Sequence, residues 1–181
     1  MARHDDTILT AALTCFSRYG YAKTTMTDIA REAKVARATV YNTYDSKPDI
    51  LRAVVKHVTV TMQDKVVDAW KQVDTLDERI DAFFTAVPVA IYDMITTQPE
   101  MAELVDEMAA TAPDEMIAAR ADWVDVLATM FRDADVADPQ GVADFFYSSA
   151  INAKYGSDNR DQVLARLATL KSALLAMVAA Q

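Results

Sequence analysis

Residues 24–51 read TTMTDIAREAKVARATVYNTYDSKPDIL, and this stretch decides the fold. Its apolar residues recur at helical spacing in two short runs. Thr25 and Asp28 have the three-residue spacing of a reciprocal helix cap, so we expect a helix to begin after Thr25. A break near Lys34 separates it from a second short helix over residues 37–44, and Pro48 lies in the first turn of a third. The pattern predicts two short helices joined by a tight turn and followed by a long helix.

The two short helices have the pattern of a helix-turn-helix. Ile29 and Ala30 face inward on the first helix, Val35 fills the turn, and Val40 anchors the second helix. A short helix that presents hydrogen-bonding and small side chains suits insertion into the major groove of DNA. The outward face of the second helix carries such residues: Arg37, Ala38, Thr39, Tyr41 and Asn42.

This stretch resembles the DNA-binding domain of the tetracycline-repressor (TetR) family, and the resemblance covers about residues 7–52. The upstream segment, from Ala11 through Phe16 to Tyr21, is similar to the first helix of that family. The matching positions within the quoted stretch are Thr24, Thr25, Ile29, Ala30, Ala33, Val35, Thr39, Val40, Tyr41, Lys47 and Leu51. The resemblance implies a three-helix DNA-binding domain, a helical ligand-binding body and a dimer.

Three positions depart from the family pattern. Lys34 replaces the usual turn glycine, and a positive φ there would cost lysine roughly 1 kcal/mol relative to glycine. Ala36 replaces the usual serine, which removes a possible cap or phosphate contact. Tyr44 replaces the usual phenylalanine, a mild change.

The resemblance also implies roles for individual residues. Thr25 and Thr27 are expected to touch the phosphate backbone, and Lys34 adds charge near DNA. Base edges are expected nearest to Arg37, Ala38 and Asn42, and a bidentate contact from Arg37 to guanine is worth about 1–3 kcal/mol of discrimination. Phosphates are expected at Thr39, Tyr41 and Lys47, with Arg3 and His4 as an additional basic arm. The alternative for Tyr41 and Tyr44 is a purely structural role as core or boundary aromatic side chains.

The chain as a whole is predicted to be all-α, with about nine helices. Only 3 Gly and 5 Pro occur, which disfavours a turn-rich sheet protein. Thr75 and Glu78 can cap a helix to about residue 97, which Pro88 should kink, and Asp158 begins the last helix. We expect a helix-turn-helix domain over residues 1–46 and a ligand-binding and dimerisation domain over residues 47–181, connected by a long helix over residues 47–73.

Charge is distributed unevenly along the chain. The net charge is −9, yet residues 1–60 hold 9 Lys and Arg against 6 Asp and Glu, whereas residues 61–181 hold 9 against 21. Such asymmetry is typical of a small DNA-facing module on an acidic body, although a chance cluster of solvated charges gives the same count.

Aromatic and methionine side chains in the middle helices are candidates for an effector pocket, because such residues often line adaptable apolar sites. The same residues more often fill a core, and that alternative stays open here. Pro88 should free the carbonyl of Phe84 in a helix expected to lie beside the pocket. The candidate pocket residues are Phe84, Val87, Tyr92, Met108, Trp123 and Phe131.

The last two predicted helices carry wide apolar stripes that favour a homodimer. Two such helices from each chain would form a four-helix bundle with twofold symmetry. The alternative is that both stripes face only their own core. The candidate interface residues are Phe145, Phe146, Ser149, Leu167, Leu170 and Leu174.

An enzyme is disfavoured because no glycine-rich phosphate loop, metal-ligand cluster or nucleophile elbow is present. The single cysteine, Cys15, excludes an internal disulfide. We expect no metal and no cofactor, no membrane segment because no uninterrupted apolar run is long enough, and a cytoplasmic location.

The sequence therefore predicts a DNA-binding transcriptional regulator, with repression as the expected sign. It would bind a palindromic double-stranded operator as a homodimer and be released by an unidentified small-molecule effector. The alternative is a helical ligand-binding or protein-interaction module that has lost DNA binding.

Overall fold

A computed structural model of the chain describes the backbone of residues 2–180 and the side chains of residues 5–180, so the predicted basic arm of Arg3 and His4 lies outside the described side chains. The described chain is all-α, as predicted, and contains nine continuous helices and no strand. They are α1 Ala2–Tyr19, α2 Met26–Glu32, α3 Arg37–Thr43, α4 Lys47–Trp70, α5 Leu76–Thr97, α6 Pro99–Thr111, α7 Pro113–Asp133, α8 Pro139–Asn152 and α9 Arg160–Ala179.

Local chemistry places the helix ends close to where the sequence predicts them. The side chains of Thr25 and Thr75 cap α2 and α5, and each cap is reciprocated by the acidic residue three positions later. Gly20 takes a left-handed φ of 80° directly after α1, which an L side chain would adopt only with strain. The last helix begins at Arg160 and not at Asp158 as the sequence predicts, because Asn159 is its N-cap and accepts from the Gln162 amide at 3.0 Å.

Pro88 lies inside α5 and changes its geometry without ending it. Residues Thr85–Val89 form one π-helical turn, with regular α-helix on both sides. A proline ring clashes with the carbonyl four residues earlier, and a wider turn relieves that clash. The predicted kink is therefore a π-helical segment.

The chain forms two compact units. The first unit comprises Met1–Val60 and Met94–Ala119, and the second comprises Thr61–Asp93 and Arg120–Gln181. These units do not coincide with the predicted domains at residues 1–46 and 47–181, because α6 and the start of α7 join the N-terminal helices. Compactness does not test independent function, so the division into DNA-binding and effector-binding domains stays a prediction.

The first unit has a core built from α1, α2, α3, the start of α4 and α6. Each large apolar side chain that it buries stabilises the fold by about 1.5–3 kcal/mol. The core holds α3 by its single buried residue, Val40; Thr39 is partly buried, and the other residues of that helix are exposed. Its largest fully buried side chains are Ile8, Phe16, Ile29, Ile50, Leu51 and Leu104.

The second unit is organised around a cluster of aromatic rings. The ring of Phe146 lies 5.4 Å from those of Phe83 and Phe84 and 5.5 Å from that of Phe131, measured between centroids. Trp123 contacts Phe83 edge-on at 5.5 Å. These separations are typical of favourable aromatic pairs, so the rings fill the centre of this unit.

Candidate nucleic-acid interface

The start of α2 is held by a reciprocal cap. The Asp28 amide donates to Thr25 Oγ1 at 3.2 Å, and the Thr25 amide donates back to the Asp28 carboxylate at 3.0 Å. Thr27 follows on the exposed side of the first turn. The arrangement leaves the N-terminus of α2 and both threonines at the surface, which is what the predicted phosphate contacts require.

The outward face of α3 is exposed. Arg37, Ala38, Tyr41 and Asn42 are all solvent-exposed, and Thr39 is partly buried. Tyr41 has 43% of its surface exposed although it is a large aromatic side chain. The structural alternative, in which Tyr41 fills a core, is therefore wrong, while its contact with a phosphate stays a prediction.

Arg37 and Tyr41 contact each other on this face. The guanidinium carbon lies 5.3 Å from the centroid of the Tyr41 ring, and Nη2 donates to the tyrosine hydroxyl at 3.4 Å. A guanidinium over an aromatic ring gains about 0.5–1 kcal/mol at exposed sites. The two residues that the sequence assigns to a base and to a phosphate are thus neighbours one helical turn apart.

The turn between α2 and α3 has the strain that the sequence predicts. Lys34 has a φ of 55°, in the left-handed region where glycine is favoured. Ala36 is the N-cap of α3 and supplies no side-chain hydrogen bond to it. Lys34 is exposed and adds a positive charge beside α3.

Lys47 makes contacts within the chain. Its Nζ donates to the carbonyl oxygens of Tyr21 at 2.8 Å, Thr24 at 3.0 Å and Ala22 at 3.3 Å, and it lies 4.3 Å from the centroid of the Tyr21 ring. An ammonium has three donors, and all three are occupied. Lys47 therefore ties the start of α4 to the loop before α2, and its contact with a phosphate stays a prediction.

Tyr44 is a boundary residue, in agreement with the structural alternative. It is partly buried against the core of the first unit, and its hydroxyl donates to the Asp5 carboxylate of α1. Burial, followed by that hydrogen bond, raises the pKa of Tyr44 well above its ordinary value. The residue joins α3 to α1 and leaves the exposed face to Arg37 and Tyr41.

The candidate pocket residues are divided between the two units. Met108 packs against the core of the first unit, whereas the other candidates belong to the second, and its place in a pocket stays a prediction. Tyr92 is partly buried beside the core of the second unit. The remaining four are buried in that core and support the alternative of core packing: Phe84, Val87, Trp123 and Phe131. A pocket in this unit stays a prediction.

The candidate interface residues fall on different sides of α8 and α9. Phe146, Leu167 and Leu174 are buried within their own unit, which supports the alternative that they face their own core. Ser149 and Leu170 are partly buried. Phe145, by contrast, has 65% of its surface exposed.

The candidate interface residues omit Leu164 and Met177, two exposed apolar residues of α9. Leu164 is 38% exposed, although it lies only three positions from the buried Leu167. Met177 is 41% exposed, although it lies only two positions from the partly buried Leu175. The stripe on this helix extends around most of its circumference, so periodicity did not separate the inward from the outward side. By length and composition α5 and α9 could each cross a membrane, a test that core helices of soluble proteins also pass.

The N-terminal residues match a known family. Residues 8–54 match the family described as bacterial regulatory proteins, tetR family. The chain is also 35% identical over 80 residues to the HTH-type transcriptional regulator HbdR of Aromatoleum sp. (strain CIB). That match covers 44% of this chain and spans about a third of the length of HbdR, 34%. The family and this relative are regulators of transcription, not enzymes.

Solved structures share the fold over nearly the whole chain. A TetR-family regulator from Pectobacterium atrosepticum has a TM-score of 0.66 and 24% identity, covering 98% of this chain and 93% of its own. SmeT, the repressor of the Stenotrophomonas maltophilia multidrug efflux pump SmeDEF, has a TM-score of 0.62 and 20% identity, covering 93% of this chain and 89% of its own. SmeT has also been solved in complex with triclosan. Residues 8–54 therefore resemble the tetR family of bacterial regulatory proteins, and the chain shares its fold with solved structures of TetR-family regulators.

Proposed function

We propose that this protein is a DNA-binding transcriptional regulator that acts as a homodimer and is released from its operator by a small-molecule effector. The observation that carries the proposal is the exposed face of α3, where Arg37, Tyr41 and Asn42 project from a helix anchored by Val40. A helix with this size and these side chains fits the major groove, where arginine and asparagine recognise guanine and adenine.

The charge distribution supports an orientation in which the N-terminal helices, including α3, face the DNA. Residues 1–60 carry the excess of Lys and Arg, and residues 61–181 carry the excess of Asp and Glu. Phosphates attract the first segment and repel the second, so the N-terminal helices are expected to face the duplex. The alternative, a helical module without DNA binding, gives no reason for the exposed Arg37–Tyr41 pair.

The surface of α9 supports a dimer. Only 17% of its most apolar 18-residue window is buried within the chain. Phe145 on α8 adds a large exposed ring, and exposed apolar surface of this extent is typical of an interface. A second copy of the chain is the expected partner, because the same faces of α8 and α9 from two chains form a closed twofold four-helix bundle.

An effector would act by changing the relative stability of two dimer geometries. A dimer reads two half-sites about 34 Å apart, so a geometry with a different spacing of the two α3 helices binds DNA less tightly. DNA affinity then falls by the ratio of the effector's affinities for the two geometries. SmeT, which shares the fold, is described both as a repressor and as a triclosan complex, and repression and effector binding are proposed here by analogy. A regulator of this kind would work in the cytoplasm.

Selection of bound sequences from random duplex DNA tests the proposal. The selected duplex is then titrated with the full chain at several salt concentrations, with a variant of α3, Arg37→Ala, and a variant of the second unit, Lys65→Ala. We expect the selected sequence to be palindromic and its affinity for the protein to fall steeply as the salt concentration rises. Only Arg37→Ala should change the sequence preference. No enrichment at low salt, with a folded dimer in hand, would exclude the regulator and favour the helical module.

A further inference from the structure

A cavity of about 410 Å³ lies in the first unit, lined by the end of α1, the loop before α2, α2 itself and the start of α6. Small-molecule sites commonly enclose about 300–1,000 Å³. No residue of α3 lines the cavity, so it is separate from the surface that is proposed to face DNA. Its charged and aromatic lining residues are Arg18, Tyr19, Lys23, Asp28, Arg31 and Glu100.

Two of the charged side chains already form an ion pair. Arg31 Nη2 lies 2.7 Å from Asp28 Oδ1, and the same Asp28 carboxylate reciprocates the cap of α2. The pair adds little net charge to the cavity. The remaining charges are two cations, Arg18 and Lys23, and one carboxylate, Glu100, so the cavity is positive overall.

These remaining groups are available to a ligand. The side chains of Lys23 and Glu100 make no hydrogen bond or ion pair with any residue whose side chain the structure describes, and they do not pair with each other. The guanidinium carbon of Arg18 lies 5.8 Å from the centroid of the neighbouring Tyr19 ring. A guanidinium has five N–H donors, so this contact leaves donors for another group.

We propose that this cavity binds a small phosphate monoester that also carries hydroxyl groups, which is the chemistry shared by sugar phosphates and mononucleotides. Arg18 and Lys23 would hold the phosphate, because charge-assisted hydrogen bonds from guanidinium and ammonium groups are among the strongest in proteins. Glu100 would accept a hydrogen bond from a ligand hydroxyl. The 46% exposed ring of Tyr19 offers a stacking surface for a nucleobase.

The shape and charge of the site favour a small molecule over the backbone of a DNA duplex. The site is concave, whereas a duplex presents its phosphates to an outer surface. Glu100 would repel a second phosphate on its side of the cavity, so one dianionic group with a hydroxyl donor fits better than a continuous polyanion. The inference concerns the first unit alone and goes beyond the proposed function.

Calorimetric titration of the full chain with ribose 5-phosphate and with inorganic phosphate, at physiological ionic strength, tests the inference. We expect ribose 5-phosphate to bind roughly tenfold more tightly, because only it can donate a hydroxyl to Glu100. Glu100→Ala should bind the two probes equally. Arg18→Ala and Lys23→Ala should each weaken the binding of ribose 5-phosphate roughly tenfold.

Lys56→Ala is the matched control, because Lys56 is an exposed lysine of the first unit outside the cavity. It should leave the affinity for ribose 5-phosphate unchanged. Arg18 and Lys23 are exposed as well, so their variants should keep the thermal unfolding midpoint of the natural sequence.

Adenosine 5′-monophosphate distinguishes the two sources of the same chemistry. Tighter binding than ribose 5-phosphate, lost in Tyr19→Ala, would support the inference with a nucleotide as the ligand. Equal or weaker binding, with ribose 5-phosphate bound as expected, would support it with a sugar phosphate.

Three results would overturn the inference: no binding of either ester, ribose 5-phosphate bound no more tightly than inorganic phosphate, or the same affinity in Lys23→Ala as in Lys56→Ala. A duplex selected by the protein supplies the last comparison. If Arg18→Ala and Lys23→Ala weaken binding of that duplex while neither ester binds, the two cations belong to the DNA interface and the inference is wrong.

Discussion

Lys47 Nζ lies 4.3 Å from the centroid of the Tyr21 ring and 2.8 Å from the carbonyl oxygen of the same residue. The ammonium thereby joins the first turn of α4 to the loop that precedes α2, 26 residues earlier in the chain. That loop positions the N-terminus of α2, so Lys47 helps to fix the position of the surface that is proposed to face DNA.

Lys47→Met should destabilise the protein, because it leaves the carbonyl groups of Tyr21 and Thr24 without their charged donor. Hydrogen bonds to a charged group contribute about 1.5–3 kcal/mol, and partial exposure places the expected loss at about 1–2 kcal/mol. Urea unfolding measures it, with Lys56→Met, an exposed lysine of the same helix, as the control. Equal stability of the two variants would mean that Lys47 is free for a phosphate in solution.

Lys34 gives a second test of stability. Its φ of 55° strains a lysine side chain, so Lys34→Gly should stabilise the protein by roughly 1 kcal/mol relative to Lys34→Ala. The two variants remove the same charge, and the comparison isolates the backbone conformation. Both should reduce the salt dependence of DNA binding by about one unit of slope if Lys34 faces a phosphate. No difference in unfolding midpoint between the variants would contradict the strain.

Features that depend on neighbouring residues were predictable from the sequence. The cap of Thr25 and the positive φ of Lys34 each follow from a few adjacent side chains and the turn that they form. The contact between Lys47 and Tyr21 was not predictable, because a flexible four-carbon side chain reaches a loop that only the packed fold brings near. The packing of Met108 in the first unit was not predictable for the same reason, because its helix joins that unit through tertiary packing.

Helical periodicity also failed to separate the two sides of α8. Phe145 and Phe146 are adjacent, and 100° of rotation places one at 65% exposure and the other at the centre of the aromatic core. Both are equally apolar, so the sequence indicates an apolar helix without saying which phenylalanine faces inward. The exposed face of α3 was easier to predict because its residues are polar and its single buried residue is Val40.

Variants of Arg37 and Tyr41 distinguish the recognition of a base by Arg37 from the stacking of its guanidinium on the Tyr41 ring. Tyr41→Phe keeps the ring under the guanidinium and should preserve sequence preference, whereas Tyr41→Ala should weaken binding to all sequences and reduce the preference as well. Arg37→Ala should lose about 1–3 kcal/mol of discrimination at one base pair. Competition titrations with single-base operator variants measure these changes. Unchanged preference in both Arg37→Ala and Tyr41→Ala would exclude α3 as the recognition helix.

Phe145 tests the interface between copies. Phe145→Glu places a charge on the most exposed ring of α8 and should convert a dimer into a monomer at micromolar concentration, which sedimentation velocity detects. Ile117→Glu is the control, because Ile117 is 67% exposed but belongs to the first unit. A Phe145→Glu protein that stays dimeric would place the interface on another surface.

The raised pKa of Tyr147 determines how the free energy of unfolding is expected to change at alkaline pH. Burial raises its pKa to about 12, while Arg120 lowers the value slightly. Because the folded pKa exceeds the unfolded value, the native state holds the phenolic proton more tightly. Stability is therefore fully present below about pH 10 and is lost as pH rises toward 12.

Tyr147→Phe has no phenol that could ionise at this position. Between pH 10 and pH 12 its free energy of unfolding should therefore fall less than that of the natural sequence, by on the order of 1–3 kcal/mol. The ring should keep its stacking on Trp123, 6.3 Å away between centroids, so the two proteins should be of similar stability at pH 8. Urea unfolding between pH 8 and pH 12 gives the comparison, with Tyr155→Phe as the control because Tyr155 is 65% exposed. If Tyr147→Phe and Tyr155→Phe lose stability in parallel with the natural sequence, the Tyr147 phenol is hydrated in solution and the packing around it is looser than the structure describes.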